Sequence, residues 1–165
     1  MSVNDLHVLK PLLVGDARQK LPWRSAEDAV YLKGLAARLA QRLPRSGACK
    51  HLRGNGGLKG ALRSVQAALS GYRYAFRTDV KSYYASIDQH VLMDQLAGYV
   101  TDRNDLNVLW QYMRRSVEFG GTFRDITRGI PAGCSLSPLM GAFHLHDLDV
   151  KMTTRFTGCF YIRYM

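Results

Sequence analysis

Apolar residues recur at helical spacing through Leu32, Leu35, Leu39 and Leu43, which predicts an amphipathic helix entered at Ser25 and stopped by Pro44. Ser25 suits a cap, and Glu27 and Asp28 fall in the first turn, where carboxylates meet the positive end of the helix dipole. A second helix is predicted over 58–69, closed by Gly71. The period then shortens to that of a strand. Tyr72, Tyr74, Phe76, Thr78 and Val80 fall on one face, and Arg73, Ala75, Arg77 and Asp79 on the other. This alternation predicts a strand with one face against helices and Asp79 on the open, polar face.

Further along, Asp88 is placed to cap a helix reaching about Val100. Asn104 is placed to cap another reaching about Val117, with Leu106, Leu109, Trp110 and Met113 on its apolar side. Gly120 and Gly121 predict a hairpin between 116–119 and 122–127. Ser137 and Pro138 open a helix toward Asp149, and 159–165 is predicted as a strand with Phe160, Ile162 and Tyr164 on one face. Pro11 and Pro22 interrupt the first residues. The predicted class is α+β, with an arm over 1–24, a helical region over 25–71 holding a basic, glycine-rich loop, and a mixed segment over 72–165.

Composition adds one strong feature. The 165 residues are 47% hydrophobic and 22% charged, as expected of a folded domain or a large piece of one. Twenty-three Lys and Arg against 13 Asp and Glu leave a net charge of +10. Such an excess points to a polyanion, of which nucleic acid is the commonest, although charge also keeps proteins soluble. Every apolar stretch is interrupted well short of the ~18 residues of a membrane span. The first residues lack the compact apolar core of a signal peptide. Cys49, Cys134 and Cys159 are unpaired by spacing, which fits a reducing compartment. A cytoplasmic protein without a membrane partner is expected.

Two segments carry candidate chemistry. The first runs Asp79-Val80-Lys81-Ser82-Tyr83-Tyr84-Ala85-Ser86-Ile87-Asp88. A carboxylate at a strand end before a turn rich in aromatics suits Mg²⁺ and a nucleotide sugar, because Mg²⁺ takes few protein carboxylates and completes its shell with water and phosphate. Standing alone, such an aspartate more often caps a turn. The second runs Arg128-Gly129-Ile130-Pro131-Ala132-Gly133-Cys134-Ser135-Leu136-Ser137-Pro138-Leu139. Its glycines let backbone approach a ligand, and the following helix offers free N–H groups, though an ordinary loop shares that composition. Other chemistries fit poorly. His144 and His146 diverge by about 200° on a helix, Cys49-x-His51 lacks two further zinc partners, and the Gly54 to Gly60 stretch lacks the Gly-Lys-Ser/Thr ending of a Walker loop.

In this order and spacing the two segments resemble the reverse transcriptase family, and most of all its bacterial group II intron type. Asp79 with Tyr84 resembles motif A, an Asp followed five residues later by an aromatic. Gly129, Pro131, Gly133, Ser137 and Pro138 resemble motif B, G-x-P-Q-G-x-x-x-S-P, followed by Leu148-Asp149. Phe160-Tyr161-Ile162-Arg163-Tyr164-Met165 resembles the strand leading into motif C, where the family reads Tyr-x-Asp-Asp and this chain stops at its second letter. The likeness runs from about Lys50 to Met165.

The resemblance implies RNA-directed DNA synthesis on a palm-and-fingers framework, with an RNA template, a DNA primer and dNTPs. Asp79 would ligate the two Mg²⁺ ions, with the Val80 carbonyl as a further oxygen. Tyr84 would stack beneath the incoming sugar and reject a 2′-hydroxyl. Pro131, Gly133 and Ser137 would line the nucleotide and template pocket. Lys50, Arg53, Lys59, Arg63 and Arg77 would contact template or triphosphate. The chain also departs from the pattern. Ala132 replaces the motif-B Gln, Ala142 stands where many members have Asn, and the motif-C aspartates and the thumb are missing. One carboxylate cannot hold two ions about 3.5–4 Å apart, so a truncated, incomplete palm that is inactive alone is expected. The rival expectation is a non-catalytic, maturase-like remnant that binds a structured intron RNA through its charge and tyrosines.

Overall fold

The computed structural model describes residues 12–13, 26–119 and 121–165. The predicted arm over 1–24 therefore lies outside the described residues apart from Leu12 and Leu13, as does the cap at Ser25. Helices dominate, with a small sheet, in keeping with the α+β expectation. The chain divides into two units, one formed by Met1–Leu43 with Lys81–Ser137 and the other by Pro44–Val80 with Pro138–Met165.

The first unit is organised by α1 (Ala26–Arg42), α3 (Tyr83–Ser86), α4 (Gln89–Ala97) and α5 (Arg103–Met113). The leucine stripe behaves as its spacing predicts, with Leu32, Leu35 and Leu39 wholly buried. Leu92 and Leu96 of α4, and Val108, Leu109, Tyr112 and Met113 of α5, supply further core, and these two helices pack on each other. An ion pair of 2.7 Å joins Arg38 of α1 to Asp105 of α5. Asp88 caps α4, its Oδ1 accepting from the backbone N–H of His90 (2.9 Å) and Val91 (3.1 Å). Asp102, not Asn104, caps α5 through the N–H groups of Asn104 (2.8 Å) and Asp105 (3.1 Å). Asp102 stands two residues before Asn104 and already accepts these N–H groups, which leaves Asn104 inside the first helical turn. Helix α5 also stops at Met113, short of Val117, because Ser116 already belongs to a strand.

That strand, β2 (Ser116–Phe119), pairs antiparallel with β3 (Thr122–Asp125), with Ser116 opposite Asp125 and Phe119 opposite Thr122. On its other edge β2 runs parallel to β1 (Leu12–Leu13). The hairpin follows the Gly-Gly signal, Gly121 taking a φ of +79°.

The second unit holds α2 (Gly57–Leu69), most of α6 (Ser137–His144) and α7 (His146–Arg155). The single helix expected over 137–149 is broken at Leu145, whose φ and ψ of −98° and 13° leave the α region. Cys49, Leu52 and Ala142 form a small buried cluster. Neither predicted strand of this unit forms a ladder. Residues 74–80 are irregular, with Tyr74 82% and Phe76 92% exposed. Alternation marks which side chains share a face, but a strand also needs a neighbour for its N–H and C=O groups, and 74–80 pair with none among the described residues. Residues 159–165 make one parallel bridge, Arg163 with Cys49.

Candidate functional site

Between Val80 and α3 the backbone makes a tight step. Ser82 has a φ of 53°, a left-handed conformation that a side chain seldom adopts, and the single-turn α3 follows, with the Ser86 N–H bonded to the Ser82 carbonyl at 3.0 Å. This step sets Tyr83 and Tyr84 side by side, ring centroids 5.8 Å apart and planes 37° apart, both half-buried.

The segment opening at Arg128 folds against that turn within the same unit. The Gly129 N–H donates to the Ile87 carbonyl and the Ile130 N–H to the Tyr84 carbonyl, each at 2.8 Å, while Arg128 Nε donates to the Ser86 carbonyl at 3.1 Å. Gly129 is the one residue type this approach allows. Its φ is +80°, and a Cβ there would lie 2.7 Å from Ala85 Cα and 2.8 Å from the Ala85 and Tyr84 carbonyl oxygens. The two segments singled out by sequence, more than forty positions apart, thus meet through backbone hydrogen bonds at Tyr84 and Gly129.

The remaining positions differ in what they offer a ligand. Pro131 is buried, and Gly133, with a φ of +77°, is exposed. Ser137 is buried and its hydroxyl donates to the Pro131 carbonyl; Tyr112 then donates to Ser137 Oγ at 2.8 Å. Ser137 therefore closes the Pro131 loop from inside. In the second unit Asp79 and Val80 lie on the exposed irregular segment, and Arg53, Lys59, Arg63 and Arg77 are exposed, with Lys50 half-buried. The basic loop is ordered by Asn55, whose Nδ2 donates to the Ser46 (2.9 Å) and Cys49 (2.8 Å) carbonyls. An Asn amid glycines was a readable sign of such a turn.

One polar centre had no sign in the sequence. Asp149 is fully buried in the second unit and receives Arg163 at both oxygens, Nε to Oδ1 at 2.9 Å and Nη2 to Oδ2 at 2.7 Å, plus the Tyr161 hydroxyl at 2.8 Å. Arg163 also reaches the Ala142 carbonyl at 3.1 Å. Burial by itself would lower the Arg163 pKa, but the bonds to Asp149 hold it above the usual value. Burial and the Asp149 hydrogen bond push the Tyr161 phenol up to about 12. Nearby, His51 Nε2 lies 3.0 Å from the Pro138 carbonyl, so it carries a proton, and Nδ1, 3.3 Å from Cys49 Sγ, accepts from the thiol. Burial lowers the His51 pKa and raises that of Cys49, which keeps the pair neutral. Among the described residues no further His, Cys, Asp or Glu joins this pair in a group able to hold a metal.

The residues described do not fit a two-ion Mg²⁺ centre. No group of three His, Cys, Asp or Glu able to hold a metal occurs among them, and Asp79 offers a single carboxylate. No helix among them is long and apolar enough to cross a membrane.

Comparison with known proteins gives a consistent picture. The family model described as "Reverse transcriptase (RNA-dependent DNA polymerase)" matches residues 29–165. Protein YkfC of Escherichia coli (strain K12) is 25% identical over 101 residues, covering 58% of this chain and 26% of that protein. The group II intron-encoded protein LtrA of Lactococcus lactis subsp. cremoris is 24% identical over 89 residues, covering 54% of this chain and 15% of that protein. The matched stretch is thus about a quarter or less of each relative's length.

Proposed function

The chain belongs to the reverse transcriptase (RNA-dependent DNA polymerase) family, and on that premise we propose that it forms the fingers and the first part of the palm of an RNA-directed DNA polymerase of a bacterial mobile element. In this reading Tyr84 and the loop through Pro131 and Gly133 frame the pocket for an incoming dNTP. The stacked ring of Tyr84 lies under the sugar and leaves no room for a 2′-hydroxyl. Asp79 and the Val80 carbonyl supply one corner of the metal centre, and the exposed Arg53, Lys59, Arg63 and Arg77, with Lys50, meet template backbone or triphosphate. The observation that carries the reading is the pair of backbone bonds from Gly129 and Ile130 to the turn bearing Tyr84. They bring the motif-B loop to the motif-A aromatic, the juxtaposition a nucleotide pocket requires.

Since the residues present do not make up a two-ion centre, no chemical step is assigned to them, and these 165 residues assayed alone should not extend a primer. Incubation with an RNA template, DNA primer, dNTPs and Mg²⁺ tests this. Template-dependent incorporation that disappears in Asp79→Ala would overturn the inactivity. Saturation-transfer NMR with dATP tests the pocket: contact with the wild-type chain, lost in Tyr84→Ala, is expected, and equal transfer in both would remove Tyr84 from the site.

The exposed arginines, Tyr74 and Phe76 support a second reading, a non-catalytic module that grips structured RNA by charge and base stacking. Tight, strongly salt-dependent RNA binding unchanged by Asp79→Ala, with no dNTP contact at Tyr84, would favour it.

A further inference from the structure

Gln89 has no part in the resemblance, yet it is only 2% exposed and sits where four segments of the first unit converge. It is the first residue of α4, directly after the cap Asp88. Its side-chain nitrogen lies 2.8 Å from the Gly129 carbonyl, 3.0 Å from the Met113 carbonyl at the end of α5 and 3.3 Å from the Ile126 carbonyl beyond β3. All three partners are acceptors, so the amide orientation is decided: only the nitrogen can face them. Two protons serve three carbonyls, one of them shared.

The consequence runs through Gly129. Its carbonyl is held by Gln89 and its N–H by the Ile87 carbonyl, and the next N–H, of Ile130, holds the Tyr84 carbonyl. Gly129 cannot retreat toward the turn, because Ala85 and Tyr84 backbone already fill the place of its absent Cβ. Gly129 is therefore clamped between the Tyr84 turn on one side and the Gln89 amide on the other. The glycine alone permits close approach; the amide fixes where along that approach the loop stops.

We propose that Gln89 is a positioning residue of the nucleotide pocket, which through Gly129 sets the Tyr84-bearing turn against the 129–133 loop and so sets how strictly the pocket separates a deoxynucleotide from a ribonucleotide. This rests on the reading of Tyr84 given above, while the clamp itself is testable without it. Gln89 touches no substrate in this scheme and acts only by holding backbone.

Hydrogen exchange by NMR tests the clamp first in the unaltered chain. The Gln89 carboxamide protons should exchange about a hundredfold more slowly than those of an exposed Gln; exchange at the exposed rate overturns the proposal without recourse to any variant. Gln89→Met then keeps the length and removes both donors without burying a charge. The Gly129 and Ile130 amides should lose about tenfold or more of their protection while Leu109 in α5 keeps its own. A side chain that merely fills space would leave Gln89→Met like the wild type, and that outcome sinks the clamp. Competition between dATP and ATP for the wild-type chain and for Gln89→Met tests the link to the pocket. A preference for dATP that narrows in the variant supports it, and an unchanged preference overturns it. If the wild-type chain binds neither nucleotide, the reading of Tyr84 and the specificity role fall together, and the exchange data still judge the clamp.

Discussion

In the second unit residues 74–80 are irregular and leave Tyr74 and Phe76 almost wholly in solvent. Residues 161–165 are scarcely more regular, with a single bridge at Arg163, yet they are pinned. The Arg163 N–H donates to the Ala48 carbonyl at 2.9 Å, its carbonyl accepts from the Lys50 N–H at 2.8 Å, and its guanidinium grips buried Asp149. Both segments mix aromatic and aliphatic side chains with an arginine. The difference is a buried carboxylate. Arg77 on 74–80 is exposed, and Arg73 just before the segment lies over the Tyr74 ring at 5.6 Å, whereas Arg163 meets a fully buried charge, Asp149. Order in an irregular segment here follows the desolvated ion, not the alternation.

The sharpest way to break this contrast is to remove the guanidinium. Arg163→Leu leaves the Asp149 carboxylate buried with only the Tyr161 hydroxyl, and breaking a buried pair in this way costs about 3–5 kcal/mol. Urea denaturation should show a loss of that size. The double change Asp149→Leu with Arg163→Leu should recover much of it, because two apolar groups leave no unpaired charge. If the single variant loses less than about 1 kcal/mol, comparable to an exposed ion pair, the pinning is elsewhere.

A smaller effect is expected at Tyr161. Replacing it by Phe deletes one hydrogen bond to an ionised acceptor, a change of about 1.5–3 kcal/mol at most. Its titration gives a cleaner signal. The folded phenol ionises near 12, above its ordinary value of 10. Because the folded pKa is raised, the contribution is whole below pH 10 and is lost as pH rises from there toward 12. Ultraviolet difference titration should find a tyrosine ionising in that upper range that is lost in Tyr161→Phe. A phenol that ionises with the exposed tyrosines would disprove the contact.

These outcomes also mark how far the sequence could be read. Local chemistry was legible: the leucine stripe of α1, the Asp88 cap, the Gly-Gly hairpin, and the two segments around Tyr84 and Gly129 each announce themselves within about ten residues. What depended on distant partners was not. Asp149 looks like a surface acid beside Asp147, and nothing near it indicates that Arg163, fourteen positions on, will bury it. Gln89 resembles any polar residue of a first helical turn, and its role appears only when three carbonyls from elsewhere in the unit converge on it. The alternation of residues 72–80 predicted a face packed against helices, but Tyr72, Tyr74, Phe76 and Val80 are all exposed, and the segment has no strand neighbour among the described residues. The single helix through Leu145 failed for a related reason, since periodicity continues across a break that the backbone does not.

The smallest expected effect is the most telling for function. Asp79→Ala and Phe76→Ser both fall on the exposed segment, where no cavity, buried charge or cap is disturbed, and surface changes of this kind stay within about 0.5 kcal/mol. Denaturation midpoints of both variants should overlay the wild type. Their consequences should then diverge with ligand. Phe76→Ser removes an exposed ring available for base stacking, and Asp79→Ala removes a negative charge from a basic surface. If the segment contacts RNA, the first weakens binding and the second leaves it unchanged or slightly stronger, most visibly at low salt where charge is least screened. Equal weakening by both would mean that the carboxylate itself takes part in RNA binding. A marked loss of stability in either variant would show instead that residues 74–80 are held by contacts, and the contrast with residues 161–165 would disappear.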